Sequence, residues 1–197
     1  MAVTKTSLIN KALTLIGAAP ITNIDDDTNN ARIVNRVYEI SLRSILGECM
    51  WNFATKRALL SVLTDTLAWY DTGENIVYQK PTDMIRIFSA NVRGSTWREE
   101  GDYIVSDSAG LGLRYVYYLD SPTKYPSPFV DAFVDKLASD IAYMVVNSQT
   151  LGEKFLEKYE KLSLPKATAA NSQTGKQQTL GDDAWEIAKY FNAQTEA

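Results

Sequence analysis

Eight residues between Ile33 and Leu46 repeat at helical spacing, and they constrain this chain more than any other feature. Ile33, Val34, Val37, Tyr38, Ser41, Leu42, Ile45 and Leu46 make one stripe, while Arg32, Asn35, Arg36, Glu39 and Arg43 lie largely off it. A helix this one-sided must bury its stripe against another layer of structure. Asp27 or Thr28 suits its N-cap, with the Asp25-Asp26-Asp27 carboxylates at the positive end of the helix dipole. A calcium site is the competing reading of those aspartates. It lacks the spacing, the glycine and the distal glutamate that such loops use. The helix is expected to end near Leu46 or Gly47.

Three more helices are expected around it. The first runs from about Thr6 to Ile16, with Leu8, Ala12, Leu15 and Ile16 on one face and Thr4 or Thr6 as the cap. Gly17 suits the left-handed position that stops a helix, and Pro20 forbids continuation. Residues 1–20 loosely mimic a signal peptide, but Asn10 and Lys11 interrupt the apolar stretch, which favours an amphipathic helix. Beyond Pro122 and Pro126, Ser127 is the expected cap with Pro128 at the first helical position. Phe129, Val130, Phe133, Leu137, Ile141, Ala142 and Met144 then repeat at helical spacing up to Val146. Thr150 is the expected cap of a last helix whose apolar face is Phe155, Leu156, Tyr159 and Leu162.

Between these pairs of helices the texture is that of strands. Candidates are 58–63, 75–78, 84–88, the region of Trp97, 103–106 and 114–119, separated by turn signals around Gly73, Gly94, Gly101 and Gly110. A small antiparallel sheet is expected, with Tyr115 and Tyr117 on one face and Tyr118 on the other. The fold class is therefore α+β: a mostly helical four-helix bundle, an inserted small antiparallel β subdomain and a C-terminal arm. The divisions are 1–57 and 123–164 for the helical domain, 58–122 for the insertion and 165–197 for the arm. From Pro165 to Leu180 the composition is that of a linker, or of an arm ordered by a partner. Past it, Trp185, Ile187, Ala188, Tyr190 and Phe191 are candidate partner-binding residues. An amphipathic segment on a polar tether folds back on its own domain or docks on another chain, and the residues alone favour neither.

Composition narrows the chemistry. The chain has 197 residues and needs no metal or disulfide to fold, since a chain this long buries roughly 70% of its unfolded surface. It has no histidine, which removes histidine triads and most zinc sites. The segment Cys49-Met50-Trp51-Asn52-Phe53-Ala54 is dense in large apolar groups, and Trp51 is expected to be buried beside the long helix. The single cysteine, Cys49, has no basic neighbour that would activate it and reads as a small core residue. Lys and Arg number 20 against 24 Asp and Glu, a net charge of -4 that argues against nucleic acid as the main partner. No phosphate-binding glycine loop, nucleophile elbow or Cys-x-x-Cys is present. Glu99 with Glu100, or Asp102 with Asp107, could supply a carboxylate pair for glycoside hydrolysis, but both sit near turns where solvated acids are expected. No apolar run approaches the ~20 residues of a membrane span. No catalytic, cofactor or metal residues are assigned, and the chain is expected not to be an enzyme.

Several segments, in order, resemble a known family. Leu15-Ile16-Gly17-Ala18-Ala19-Pro20-Ile21 followed by the three aspartates is similar to the opening of the tail tubular protein A family, the head-to-tail adaptors of short-tailed bacteriophages. So is the long helix running into Trp51-Asn52-Phe53-Ala54, with Arg57 and Leu59 beyond. Tyr78-Gln79-Lys80-Pro81-Thr82-Asp83-Met84-Ile85-Arg86 resembles the family's tyrosine-proline-aspartate-arginine stretch. Arg114-Tyr115-Val116, Pro128 to Phe133 and Leu137-Ala138 resemble later blocks. The likeness covers about residues 12–160. Ala18 departs from it where an acidic residue is usual, and Lys80 where an apolar one is. Gly17, Pro20, Trp51, Asn52, Phe53 and Ala54 are its structural motif residues.

The resemblance implies a non-enzymatic virion protein of the tail neck, made in the host cytoplasm. It implies a ring of twelve copies between the portal protein and the tail nozzle of tail tubular protein B type. DNA would pass through the lumen without specific binding, and no membrane is involved. The helical part would form the ring wall and the arm would grip the portal or a neighbour. Closing heterologous contacts are what such a ring requires. The alternatives are another virion connector, a carbohydrate-binding or host-recognition tail module using the aromatic residues, and a tail-associated hydrolase.

Overall fold

A computed structural model describes residues 3–63, 76–91 and 96–174. Helix α1 (Lys5–Leu15) opens with a capping box, in which the Thr4 hydroxyl accepts from the Ser7 amide and the Ser7 hydroxyl accepts from the Thr4 amide. It closes at Gly17, whose φ is +77°. The Gly17 amide donates to Thr14 and the Ala18 amide to Leu13, the paired bonds of a left-handed glycine stop. Leu8, Ile9, Ala12 and Leu13 are buried, whereas Leu15, expected on the core face, is exposed. Helix α2 (Asn29–Glu48) is capped by Thr28 and buries Val34, Tyr38, Leu42, Ile45 and Leu46. It runs slightly past its expected end.

A short turn at Asn52–Ala54 leads into the β region. Here the structure differs from the expected single sheet. Strands β1 (Thr55–Leu59), β3 (Met84–Ala90) and β6 (Gly112–Tyr117) form one antiparallel sheet in the order β1-β6-β3. Strands β2 (Ile76–Gln79), β4 (Trp97–Glu100) and β5 (Tyr103–Ser106) form a second, in the order β2-β5-β4. The first strand lies earlier than expected because Thr55 already pairs with Val116. The sheets share a small core in which Leu113 and Tyr115 of β6 meet Tyr78 and Ile104. Val116, on the opposite face of β6, joins the helical core. Tyr115 and Tyr117 do share a face, and Tyr118 packs towards the helices.

Helix α3 (Ser127–Val146) is the hub, touching α1, α2, α4 (Gln149–Lys158) and α5 (Leu164–Gln173). It starts with Pro126 at the N-cap, so Ser127 lies inside it. The Val130 amide bonds to the Pro126 carbonyl, which opens the helix one residue early. Asn147 ends it in the left-handed conformation. Ser148, directly behind that turn, caps α4 in place of Thr150 by accepting from the Leu151 amide.

The expected linker from Pro165 is instead helix as far as Gln173. A π turn at Tyr159–Ser163 separates α4 from α5, with the Leu164 amide reaching back five residues to Tyr159. Pro165 cannot donate to the carbonyl four residues back, and the wider turn before it lets the rod continue. The same turn corrects the expected face. Phe155, Tyr159, Ser163 and Ala167 are buried, four residues apart, while Leu156 and Leu162 are exposed. An ideal helix would drift about 40° at each such step, and the extra residue of a π turn takes up that drift. With α4, the π turn and α5 taken as one rod, the described residues form four helical rods and two small sheets, a mixed α+β architecture.

Candidate functional site

Four of the six motif residues, Trp51 to Ala54, lie just past the C-terminal end of α2. The last four carbonyls of a helix have no partner within it. Here the Trp51 indole donates to the Ile45 carbonyl, and one Arg86 nitrogen donates to the carbonyls of Gly47 and Glu48 at 3.1 and 3.3 Å. The guanidinium also places positive charge at the negative end of the helix dipole. Sequence reasoning placed Trp51 beside the long helix and named Arg86 only as part of a family stretch. Nothing local predicted that the two would close the same helix end.

The rest of the motif ties this end to α3 and α5. Phe53 packs edge-on against Phe129, with ring centroids 4.7 Å apart, and Trp51 meets Phe129 at 4.9 Å. Ala54 is fully buried within the helical core. Asn52 takes the Asn171 side-chain oxygen on its amide at 2.8 Å. Its own side chain donates to the Asn171 carbonyl and the Thr174 hydroxyl at 2.9 and 2.7 Å. Asn171 also donates to the Met50 carbonyl at 2.9 Å. Gly17 closes α1 as described, and Pro20 lies exposed beyond it. Beside Trp51 and Phe53, a largely apolar cleft of about 460 Å³ opens between the start of α3 and α5. The arm candidates Trp185, Ile187, Ala188, Tyr190 and Phe191 lie outside the described residues.

The other singled-out side chains sit in ordinary surroundings. Glu99 pairs with Lys80 and Glu100 with Arg98. As neighbours on β4 the two glutamates point to opposite faces and do not meet. Asp107 accepts from the Thr96 amide and hydroxyl, as a turn aspartate does. In the aspartate cluster, Asp26 accepts from the Thr22 and Asn23 amides and Asp27 pairs with Arg32. Among the described residues, no group of three or more His, Cys, Asp and Glu could hold a metal ion, and no helix is long and apolar enough to cross a membrane. Burial pushes the half-buried Cys49 thiol up, against the pull of the Met50 amide and Arg86, which is the opposite of activation.

The tyrosine cluster does not form an open aromatic platform. Tyr115 is buried with its hydroxyl on Asp83, Lys56 covers the Tyr117 ring at 3.9 Å and Arg43 covers Tyr118 at 4.3 Å. Burial, then Asp120, raises the Tyr125 hydroxyl well above its usual value, and that hydroxyl donates to the Leu119 carbonyl. Asp135 of α3 was not singled out in the sequence. It is buried and accepts from Lys158, at 2.8 Å, and from the Ser163 hydroxyl. Its neighbours there come from α4 and the π turn, which no local pattern announces. A scan against protein-family models finds no match to this sequence, and a search of curated proteins finds none either.

Proposed function

We propose that this chain is a structural subunit of a short-tailed phage virion, a head-to-tail adaptor of tail tubular protein A type. It assembles as a ring, twelve copies in the family it resembles, between the portal and the tail nozzle, and DNA passes through the lumen. In this reading α1, α2, α3 and the α4–α5 rod are the four-helix wall of the ring. The sheets project from the wall, and the C-terminal arm reaches for the portal or a neighbour.

One observation carries the proposal. The Trp51 block and the block ending in Arg86 are two separate segments of the resemblance, and both act on the same end of α2. Shared segments that meet in one joint are what a shared fold requires, whereas scattered chance likenesses have no reason to meet. The covered tyrosine rings give no support to a carbohydrate-binding module. The separated glutamates give none to a hydrolase.

The test is binding. Full-length chain is mixed with portal rings, or with nozzle protein, and sedimented. The adaptor reading expects the chain to travel with the portal and to bridge it to the nozzle. A chain that associates with neither ends the reading.

A further inference from the structure

The cleft beside the motif has one wall of small residues and one of aromatic rings. Ala167 and Ala170 of α5 face Trp51, Phe53 and Phe129, with Pro128 at one edge. Among the described residues nothing fills this cleft: Trp51, Phe129 and Ala167 form its buried floor, while Phe53, Pro126, Pro128 and Ala170 give it a partly exposed apolar rim on which a further apolar segment can seat. We propose that its occupant in the free chain is the chain's own segment 182–191, with Trp185 and Phe191 inserted between α5 and the aromatic wall.

Where the chain leaves the described fold supports this. Thr174 lines the cleft itself, and its hydroxyl is held by the Asn52 side chain at 2.7 Å. The next residues therefore start from the rim. Only residues 175–181 separate Thr174 from Asp182, so Asp182 lies no more than about 28 Å from the rim. A tether this short holds the segment at an effective concentration on the order of millimolar. A second copy or a partner matches that only at comparable concentration.

The segment has the right chemistry. Of residues 175–197, only 184–191 carry large apolar side chains at helical spacing, with Trp185, Ala188 and Phe191 three residues apart and Ile187 beside them. Aromatic anchors in an aromatic-walled groove are the pairing that helix-in-groove recognition uses. The seat gives the arm a second role. A partner that binds Trp185 and Phe191 has first to lift them from the cleft, so the free chain keeps its docking residues covered. The inference concerns the free chain and stands whether or not the adaptor reading does.

The test uses full-length chain labelled with fluorotryptophan, with the Trp185 signal identified by Trp185→Phe and its exposure read with a soluble paramagnetic quencher. Protection of Trp185 that stays constant through a dilution series is expected. Ala170→Arg fills the cleft and should raise Trp185 quenching severalfold while Trp51 stays protected. If that variant disrupts the fold, Phe191→Ser decides, since it changes the segment and none of the residues that line the cleft, and it should raise Trp185 quenching in the same way. A wild-type Trp185 quenched like free indole overturns the proposal. So does protection that grows with concentration and mass, which places the arm on another copy. Protection unchanged in a folded Ala170→Arg and in Phe191→Ser overturns it as well.

Discussion

The indole N–H of Trp51 donates to the carbonyl of Ile45 across 2.8 Å, and both residues are buried. That carbonyl is one of the four that α2 cannot satisfy internally, so the side chain that fills the core also finishes the helix. Trp51→Ala should cost roughly 3–5 kcal/mol in urea unfolding. Trp51→Phe keeps much of the buried area but strands the carbonyl, and should cost about 1–3 kcal/mol. A near-neutral Trp51→Ala would contradict this placement.

Asp135 ties three parts of the helical domain through one carboxylate. Asp135→Ala removes the acceptor of the nearly buried Ser163 hydroxyl and of Lys158. It should cost roughly 1.5–3 kcal/mol, more than Ser163→Ala at about 0.5–1.5 kcal/mol. Denaturant midpoints of the two variants check the order. Equal and small effects would mean that the carboxylate does not hold the π turn.

The Asn52–Asn171 pair fixes where the folded body ends. Asn171→Ala removes the side-chain bonds to the Asn52 amide and the Met50 carbonyl. It should speed amide exchange through the last turn of α5 while costing about 1 kcal/mol or less globally, because Asn52 is exposed. A chain ending at Thr174 should keep the fold. One ending at Ala170 should lose stability, since it cuts away both Asn171 and Thr174.

Tyrosines set the alkaline limit of the fold. Burial comes first in raising both Tyr38 and Tyr125, followed for Tyr38 by Tyr125 and Asp120 and for Tyr125 by Asp120. The folded state therefore holds these protons more tightly than the unfolded chain, where tyrosine titrates near 10. Their contribution is fully present below about pH 10 and is lost as pH rises beyond it, because only the unfolded chain then releases protons. The urea midpoint should stay level in this respect to about pH 10 and fall above it. Tyr38→Phe should soften the fall, and an unchanged slope in that variant would assign it to other groups.

Much of the helical part was legible in the sequence because its signals are local. The α2 stripe, the glycine stop at Gly17 and the burial of Trp51 depend on spacing within a few turns. What was missed depends on distance along the chain. Thr55 starts a strand early because Val116 pairs with it, and the division into two sheets follows from such long-range pairings. The segment from Pro165 reads as a linker on its composition, and the π turn that carries the helix through it leaves no mark in the apolar pattern. The wrong caps at Ser127 and Thr150 are shifts of one and two residues, to Pro126 and to Ser148. In the candidate site, Trp51 to Ala54 stood out as a dense apolar block. Its partners Arg86 and Asn171 did not, since a side chain's hydrogen bond to a distant carbonyl has no sequence signature.

The central claim is assembly on a portal. Light scattering of full-length chain titrated onto purified portal rings of a matching short-tailed phage measures it most directly. The account predicts saturation at an added mass of one 22.0 kDa chain per portal subunit, with imaging showing one closed ring over an open channel. A portal that gains no mass at any excess of the chain would contradict it.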